Sequence, residues 1–401
     1  MSAWLSVVGI GEDGLSGLSQ AARATVAAAE VLVGGKRHHA FVPETGALRV
    51  AWDSPLALTL DALEAHRGKR VVVLASGDPM WFGVGATLAR RFGTDALDIV
   101  PHVSAYALAA ARLAWPLDDA GKLTIHGRPL AALVLHLHDR ARLIVLTHDG
   151  RSPAAVAKLL VAQGYGKSRL VAFERLGGPA ERTLSGTAEN WPHDKIDELN
   201  TLAIECVAGQ DARPLSRLAG LPDDCFEHDG QLTKRIVRAA TLSALSPLPG
   251  QLLWDVGAGN GSISIEWLRA APRMRAIAIE RDAARRTRIA RNAENLGVPD
   301  ITVVAGEAPA ALGGLEAPDA VFIGGGASIP GVVETCWEAL KPGGVFVANA
   351  VTLESESVLA GWHAKHGGEL ARIGISHAEP IGPHRGWRTA MPVTQLSVRK
   401  P

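Results

Sequence analysis

The 401-residue chain carries 41 basic and 41 acidic residues, a formal net charge of zero, and is 47% hydrophobic and 20% charged. Nucleic-acid binders ordinarily show a basic excess, so that class is disfavoured, and no apolar run of about 18 residues is present to span a bilayer. Cys206, Cys225 and Cys336 stand far apart without a CxxC pair, which gives no metal site and no disulfide framework and points to a reducing cytoplasm.

From the N-terminus, "WLSVVGI" reads as a strand entering a turn with Gly9, Gly11 and Gly14, not as a signal peptide. "VVVLAS" runs into Ser76-Gly77-Asp78-Pro79 and then a helix, with Trp81 in its approach. "LDIVP" leads to Ser104-Ala105, where Ser104 suits a helix N-cap. "RLIVLT", "RLVAFE" and "LAIECV" complete the strands of the first half. Short apolar runs alternating with Ala/Leu/Arg-rich helical stretches predict an α/β fold. A polar stretch rich in Gly, Pro and Asp then breaks the pattern. The expected division is a domain at 1–210, a linker at 211–229 and a second domain at 230–401.

The second half predicts strands at "QLLWDVG", "RAIAIE", "ITVVAG", "DAVFIG" and "GVFVANA". After the first comes Gly257-Ala258-Gly259-Asn260-Gly261, a G-x-G-x-G loop. The dinucleotide fingerprint G-x-G-x-x-G would need glycine where Ser262 stands. Asp255, just before the loop, would repel a pyrophosphate but suits a cationic amino-acid moiety. At the end of the next strand Glu280 is placed to accept both hydroxyls of a ribose, each charged bond worth about 1.5–3 kcal/mol. Gly306 and Glu307, at the end of the third, are placed to flank an adenine. An ammonium, a ribose and an adenine without phosphate describe S-adenosylmethionine (SAM). The fourth strand ends in Gly324, Gly325 and Gly326 and lacks the Asn-Pro-Pro-Tyr type motif of enzymes that methylate base amines.

Residues 230 to about 350 therefore resemble the class I SAM-dependent methyltransferases. The order of the first-half turns resembles the tetrapyrrole methylases, or class III SAM-dependent methyltransferases. That resemblance implies that Gly9, Gly11, Asp78, Trp81, Ser104 and Ala105 surround a second SAM, although Pro101-His102 stands where that family usually has Pro-Gly. "VLVGGKRHH" (31–39) and "LTIHGR" (123–128) are similar to signatures of the corrin-pathway methylase acting on precorrin-6, and "LPDDCFEHDGQLTKRIVR" resembles the arm of its C15-methylating, decarboxylating partner. In that partner the Thr-Lys-Arg segment borders the SAM site, which carries over to Thr233. The whole chain is thus similar to the fused precorrin-6Y C5,15-methyltransferase (decarboxylating) family. The implied architecture is α/β: an N-terminal tetrapyrrole methylase fold followed by a Rossmann-like class I SAM-dependent methyltransferase fold.

Such a substrate is fringed with acetates and propionates and calls for dispersed cations. Lys36, Arg37, His38, His126 and Arg128 are the expected anchors in the first half; Arg235 and Arg385 are those in the second, with Lys234, His384 and Arg388 as further candidates. The catalytic group is left unassigned, because a sulfonium methyl and an enamine-like carbon need alignment above all. The implied partners are a precorrin and further copies of the chain, with no nucleic acid and no membrane. Rival readings are a two-domain methylase of RNA or protein, a nicotinamide-dependent oxidoreductase, and a non-catalytic binder.

Overall fold

Runs such as Val71–Ala75, Leu252–Val256 and Ala320–Ile323 are buried at every residue, as inner strands of a parallel sheet covered on both faces must be. The computed structural model describes residues 3–401. The chain forms two units: one runs through Arg128 and resumes at His138–Arg213, and the other comprises Pro129–Leu137 with Pro214–Pro401.

In the first unit, β1 (Leu5–Ile10), β2 (Val31–Gly34), β3 (Leu48–Ala51), β4 (Val71–Ser76) and β5 (Leu97–Val100) form an all-parallel sheet of order β3-β2-β4-β1-β5. Helix α1 (Val84–Phe92) follows β4, and α2 (Ala105–Leu113) follows β5. As the sequence predicts, Ser104 caps α2, its Oγ accepting the Ala107 N–H at 3.2 Å. A second sheet, ordered β6-β7-β10-β8-β9, contains β6 (Gly121–Thr124), β7 (Arg142–Leu146), β8 (Arg169–Glu174), β9 (Arg182–Thr187) and β10 (Asn200–Glu205). Only its β6–β7 pair is parallel.

The second unit begins with an arm that packs against α3 (Arg235–Leu245) and α4 (Ser262–Ala270). Of the segment 211–229, expected as a linker, residues 214–229 are built into this unit. Leu221 and Phe226 join a core with Ile265, Ala293 and Leu296, and Leu135 of the inserted Pro129–Leu137 segment packs on the same cluster. Arg238, fully buried, pairs with Glu266 at 2.6 Å, while Glu266 also accepts the N–H groups of Gly220 and Leu221 at 2.6 and 2.9 Å. The ion pair therefore fastens the arm.

Strands β11 (Leu252–Val256), β12 (Arg275–Glu280), β13 (Thr302–Ala305), β14 (Ala320–Ile323) and β15 (Val345–Ala350), joined by β16 (Glu369–Ile373) and β19 (Val393–Arg399), form a sheet of order β13-β12-β11-β14-β15-β19-β16. The first five are parallel; β19 runs antiparallel to both its neighbours. Helix α5 (Ala283–Asn295) follows β12. A separate hairpin pairs β17 (Ser376–Ile381) with β18 (His384–Thr389). Strand order reverses between β11 and β14, and the crevice beyond the carboxyl ends of strands at such a point is where open α/β sheets take ligands.

Candidate functional site

The second unit has a cavity of about 700 Å³ at that reversal. Thr233, Asp255, Gly257, Ala258, Gly259, Asn260, Glu280, Gly306 and Glu307 all line it, together with Gly324–Gly326 from the β14 turn. Gly257 has φ +71°, and a Cβ there would lie 3.2 Å from the Gly325 carbonyl oxygen. The two strand-end turns thus approach closely only because position 257 lacks a side chain.

Asp255 is 1% exposed. Its Oδ2 accepts the Ser264 hydroxyl at 2.6 Å and the Ser264 N–H at 3.1 Å, holding the start of α4, while Oδ1 is buried without a hydrogen-bond partner. Burial pushes this carboxyl up to about 6 against the downward pull of the Ser264 bonds, with the Glu280 charge adding to the rise. An unpartnered buried carboxylate oxygen is what an ammonium would satisfy.

Glu280, 4% exposed, already takes one amide on each oxygen: Gly259 N–H on Oε2 at 2.8 Å and Asp282 N–H on Oε1 at 2.9 Å. These bonds orient it and leave a second lone pair on each oxygen for a diol. Glu307 pairs with Arg281 at 2.9 Å on the exposed rim. These residues fit SAM.

Other expected residues lie elsewhere. Gly261 is outside the lining; a Cβ there would meet Ile289 at 3.0 Å, so it serves packing against α5. Arg235 donates Nε to the Gly220 carbonyl at 3.0 Å, helping to fasten the arm, and does not line the cavity. Arg385 is exposed on β18, also off the lining, whereas Lys234 and His377 reach it. Sequence reasoning missed Asp229. Its carboxylate accepts from Arg285 at 2.9 Å, Asn260 at 3.0 Å and Arg288 at 3.1 Å, and the Arg285 and Asn260 bonds hold it well below the usual carboxylate range. A "DG" before the arm's end was its only signal.

The first unit has its own cavity of about 940 Å³. Asp78, Trp81, Ser104, Ala105, His38, His126 and Arg128 line it, with Ser76, Phe82 and Tyr106. Asp78 Oδ1 accepts the Met80 N–H at 2.8 Å, shaping the turn that presents Trp81 and Phe82, both nearly half exposed. Arg128 stacks on the Phe82 ring at 5.0 Å. Gly9 and Gly11 lie outside the lining. A Cβ on Gly9 would collide with the Gly77 carbonyl oxygen and come within 2.8 Å of the His102 amide, so Gly9 lets two turns touch. Lys36 is exposed away from the cavity, and Arg37 is engaged by Glu12. His38, 8% exposed, is pulled down to about 4 by burial and by its neighbours Arg37 and His39. It is a neutral imidazole, not the cationic anchor expected.

Residues 5–192 match the model of the tetrapyrrole (corrin/porphyrin) methylases, and residues 224–400 match that of the precorrin methyltransferase domain. A precorrin-6Y C(5,15)-methyltransferase [decarboxylating] of a Sinorhizobium species is 52% identical over 402 residues, covering 100% of this chain and 97% of the relative. The chain belongs to that family. Its members' activities also occur on separate proteins. A cobalt-precorrin-7 C(5)-methyltransferase of Salmonella typhimurium is 35% identical over 44% of this chain and 88% of its own length. A probable cobalt-precorrin-6B C(15)-methyltransferase (decarboxylating) of Saccharolobus solfataricus is 38% identical over 34% of this chain and 72% of its own length. The fold class expected from sequence agrees with these matches. Among the described residues no helix is long and apolar enough to cross a membrane.

Proposed function

We propose that this methyltransferase acts in cobalamin biosynthesis on a precorrin-6Y-type macrocycle, with two SAM sites per chain: C15 methylation and loss of the ring C acetate carboxylate in the second unit, C5 methylation in the first. The observation that carries this reading is that each unit holds its own cavity, lined by its own motif residues. The separate matches of residues 5–192 and 224–400 to the two family models support the division.

SAM, when bound, supplies an electrophilic sulfonium methyl. In the second unit Asp255 meets the ammonium, Glu280 holds the ribose hydroxyls, and Gly306 and Glu307 border the base. In the first, Asp78, Trp81, Ser104 and Ala105 surround the corresponding ligand. Holding the acceptor carbon, methyl and sulfur in line contributes about 7–11 kcal/mol to lowering the barrier. Lys234 and His377 in one cavity, and His126 and Arg128 in the other, face the carboxylate fringe of the substrate. Decarboxylation sends the carbon–carbon bond pair into the protonated conjugated ring as neutral carbon dioxide leaves, and the apolar lining of Phe322 and Ile329 favours this loss of the carboxylate charge. Zero net charge and the glycine-only turn after β14 disfavour RNA as the acceptor. The enzyme is taken as a cytoplasmic homo-oligomer; sedimentation tests the assembly and cell fractionation the location.

The full chain, given precorrin-6Y and SAM carrying a ¹³C methyl, should yield by mass spectrometry a product with two labelled methyls and one carbon dioxide fewer. A single label, or a retained carboxyl group, contradicts the assignment.

A further inference from the structure

Adding a methyl group to a ring-linking carbon that bears hydrogen leaves one proton to be removed before conjugation is restored. The first unit therefore needs an acceptor. Ser76 ends β4 with an exposed hydroxyl that lines the cavity. Its Oγ accepts from Arg37 Nη2 at 2.6 Å and lies 3.0 Å from His38 Nε2. The same Arg37 nitrogen is 3.2 Å from His38 Nε2.

A guanidinium nitrogen only donates, so Nε2 is an acceptor and the imidazole carries its hydrogen on Nδ1. That Nδ1 is buried and has no hydrogen-bond partner among the described residues in either tautomer, so the tautomer is set by the groups that face Nε2. The short Arg37 bond fills one lone pair of Ser76; the Ser76 hydrogen points to the single lone pair of Nε2, which it shares with the longer 3.2 Å Arg37 contact, and the remaining Ser76 lone pair is left for the cavity. Arg37 is fixed in turn by Glu12, which lies 3.5 Å from Arg175; Arg175 pairs with Asp197 at 2.7 Å. A network that locks a serine and a neutral histidine at a cavity wall is a built proton acceptor.

We propose that Ser76 and His38 form a relay that takes the C5 hydrogen as a proton once C5 has been methylated; this rests on C5 methylation belonging to the first unit. The C5–methyl bond forms from a π pair of the macrocycle while the methyl–sulfur bond breaks and leaves its pair on sulfur. The C5–H bond then breaks and its pair returns to the ring. Its proton reaches Ser76 Oγ as the serine hydrogen passes to His38 Nε2. The imidazolium, crowded by Arg37 and His39, returns the proton to solvent through Ser76. A tetrahedral carbon next to a cationic conjugated ring is a strong acid, so a histidine pulled down to about 4 is base enough and is neutral across the physiological range.

The test uses the full chain with Ser76→Ala and His38→Gln, and a macrocycle already methylated at C15 and decarboxylated, bearing hydrogen or deuterium at C5. Both variants should lower kcat for C5 methylation by about 100-fold or more, the range of general-base removal, and leave KM for the macrocycle within about twofold of wild type. Proton loss becomes limiting, so the deuterium isotope effect rises above the wild-type value, which a misplaced loop would not cause. C15 methylation and carbon dioxide release from precorrin-6Y stay at wild-type rates, and calorimetry with S-adenosylhomocysteine still counts two sites, reporting an intact fold. Wild-type C5 kinetics in both variants, or slowed C5 methylation with an unchanged isotope effect, overturns the relay alone. Loss of C15 methylation and carbon dioxide release with C5 methylation intact overturns the placement of the reactions, and the relay with it.

Discussion

Asp255→Asn isolates the electrostatics of the second-unit site. The carboxyl, buried with one unpartnered oxygen, is raised from 3.8 to about 6. A raised folded-state pKa means that the native state holds the proton longer than the unfolded chain. In the ligand-free protein the contribution of this one group to stability is therefore fully present below pH 3.8 and falls by about 3 kcal/mol as pH rises through 6. A cationic ligand offsets that penalty, but only with the ionised carboxylate. Wild-type affinity for S-adenosylhomocysteine at this site should thus fall about tenfold between pH 8 and pH 5, following the ionised fraction. Asparagine removes a charge-assisted hydrogen bond of about 1.5–3 kcal/mol, so at pH 8 the variant should bind about 10- to 150-fold more weakly, and its affinity should no longer depend on pH. Isothermal titration calorimetry at pH 5, 6, 7 and 8 measures both, with the first-unit site as internal control. A wild-type affinity flat across this range, or an Asp255→Asn variant that binds like wild type, refutes the assignment of Asp255 to the ammonium.

His38 gives the opposite sign. Its folded pKa is lowered from 6.5 to about 4, so the unfolded chain takes up the proton first, and the first unit should lose about 3 kcal/mol as pH falls from 6.5 to 4. Urea denaturation of His38→Gln across that window should show this slope flattened. Glu266→Gln leaves Arg238 with Asp223, 3.1 Å away, as its remaining carboxylate partner and should destabilise the second unit by about 1.5–3 kcal/mol in the same assay, with the first-unit transition unmoved. Gly257→Ala must hold alanine at φ +71°, at about 1–2 kcal/mol, with its Cβ against Gly325; calorimetry should show weaker binding at the second-unit site and unchanged binding at the first.

The parallel core strands were legible because burial on both faces writes them as unbroken apolar runs, from Val71–Ala75 to Val345–Ala348. What escaped lies at edges and on exposed faces. β17 and β18 read "SHAEPI" and "HRGWRT", with polar residues on both sides and no period to detect. The short edge strand β3 and the solvent-facing β9 are similarly weak signals, while β2, inner and fully buried, is only four residues long. The segment at 211–229 looked like a linker because its Gly, Pro and Asp content is that of a loop. Its attachment depends on Arg238 and Glu266, a pair 28 residues apart in sequence that only the fold brings together.

For the site, residues at strand ends were readable because turn chemistry is local: Asp255, Gly257 and Glu280 converge as their positions imply. Cationic anchors were less so, since a charge carries no sequence mark of its direction. Arg235 folds back on its own arm and Lys36 faces solvent, whereas His377, from a hairpin the sequence did not reveal, reaches the cavity. His38 was mistaken for a cation because its burial, the main cause of its lowered pKa, is invisible in the string.

The most direct test of two methylation sites on one chain is a calorimetric count of S-adenosylhomocysteine bound to wild type and to Glu280→Ala. Two per chain in the wild type and one in the variant is the predicted result. One in the wild type, or two in the variant, contradicts it.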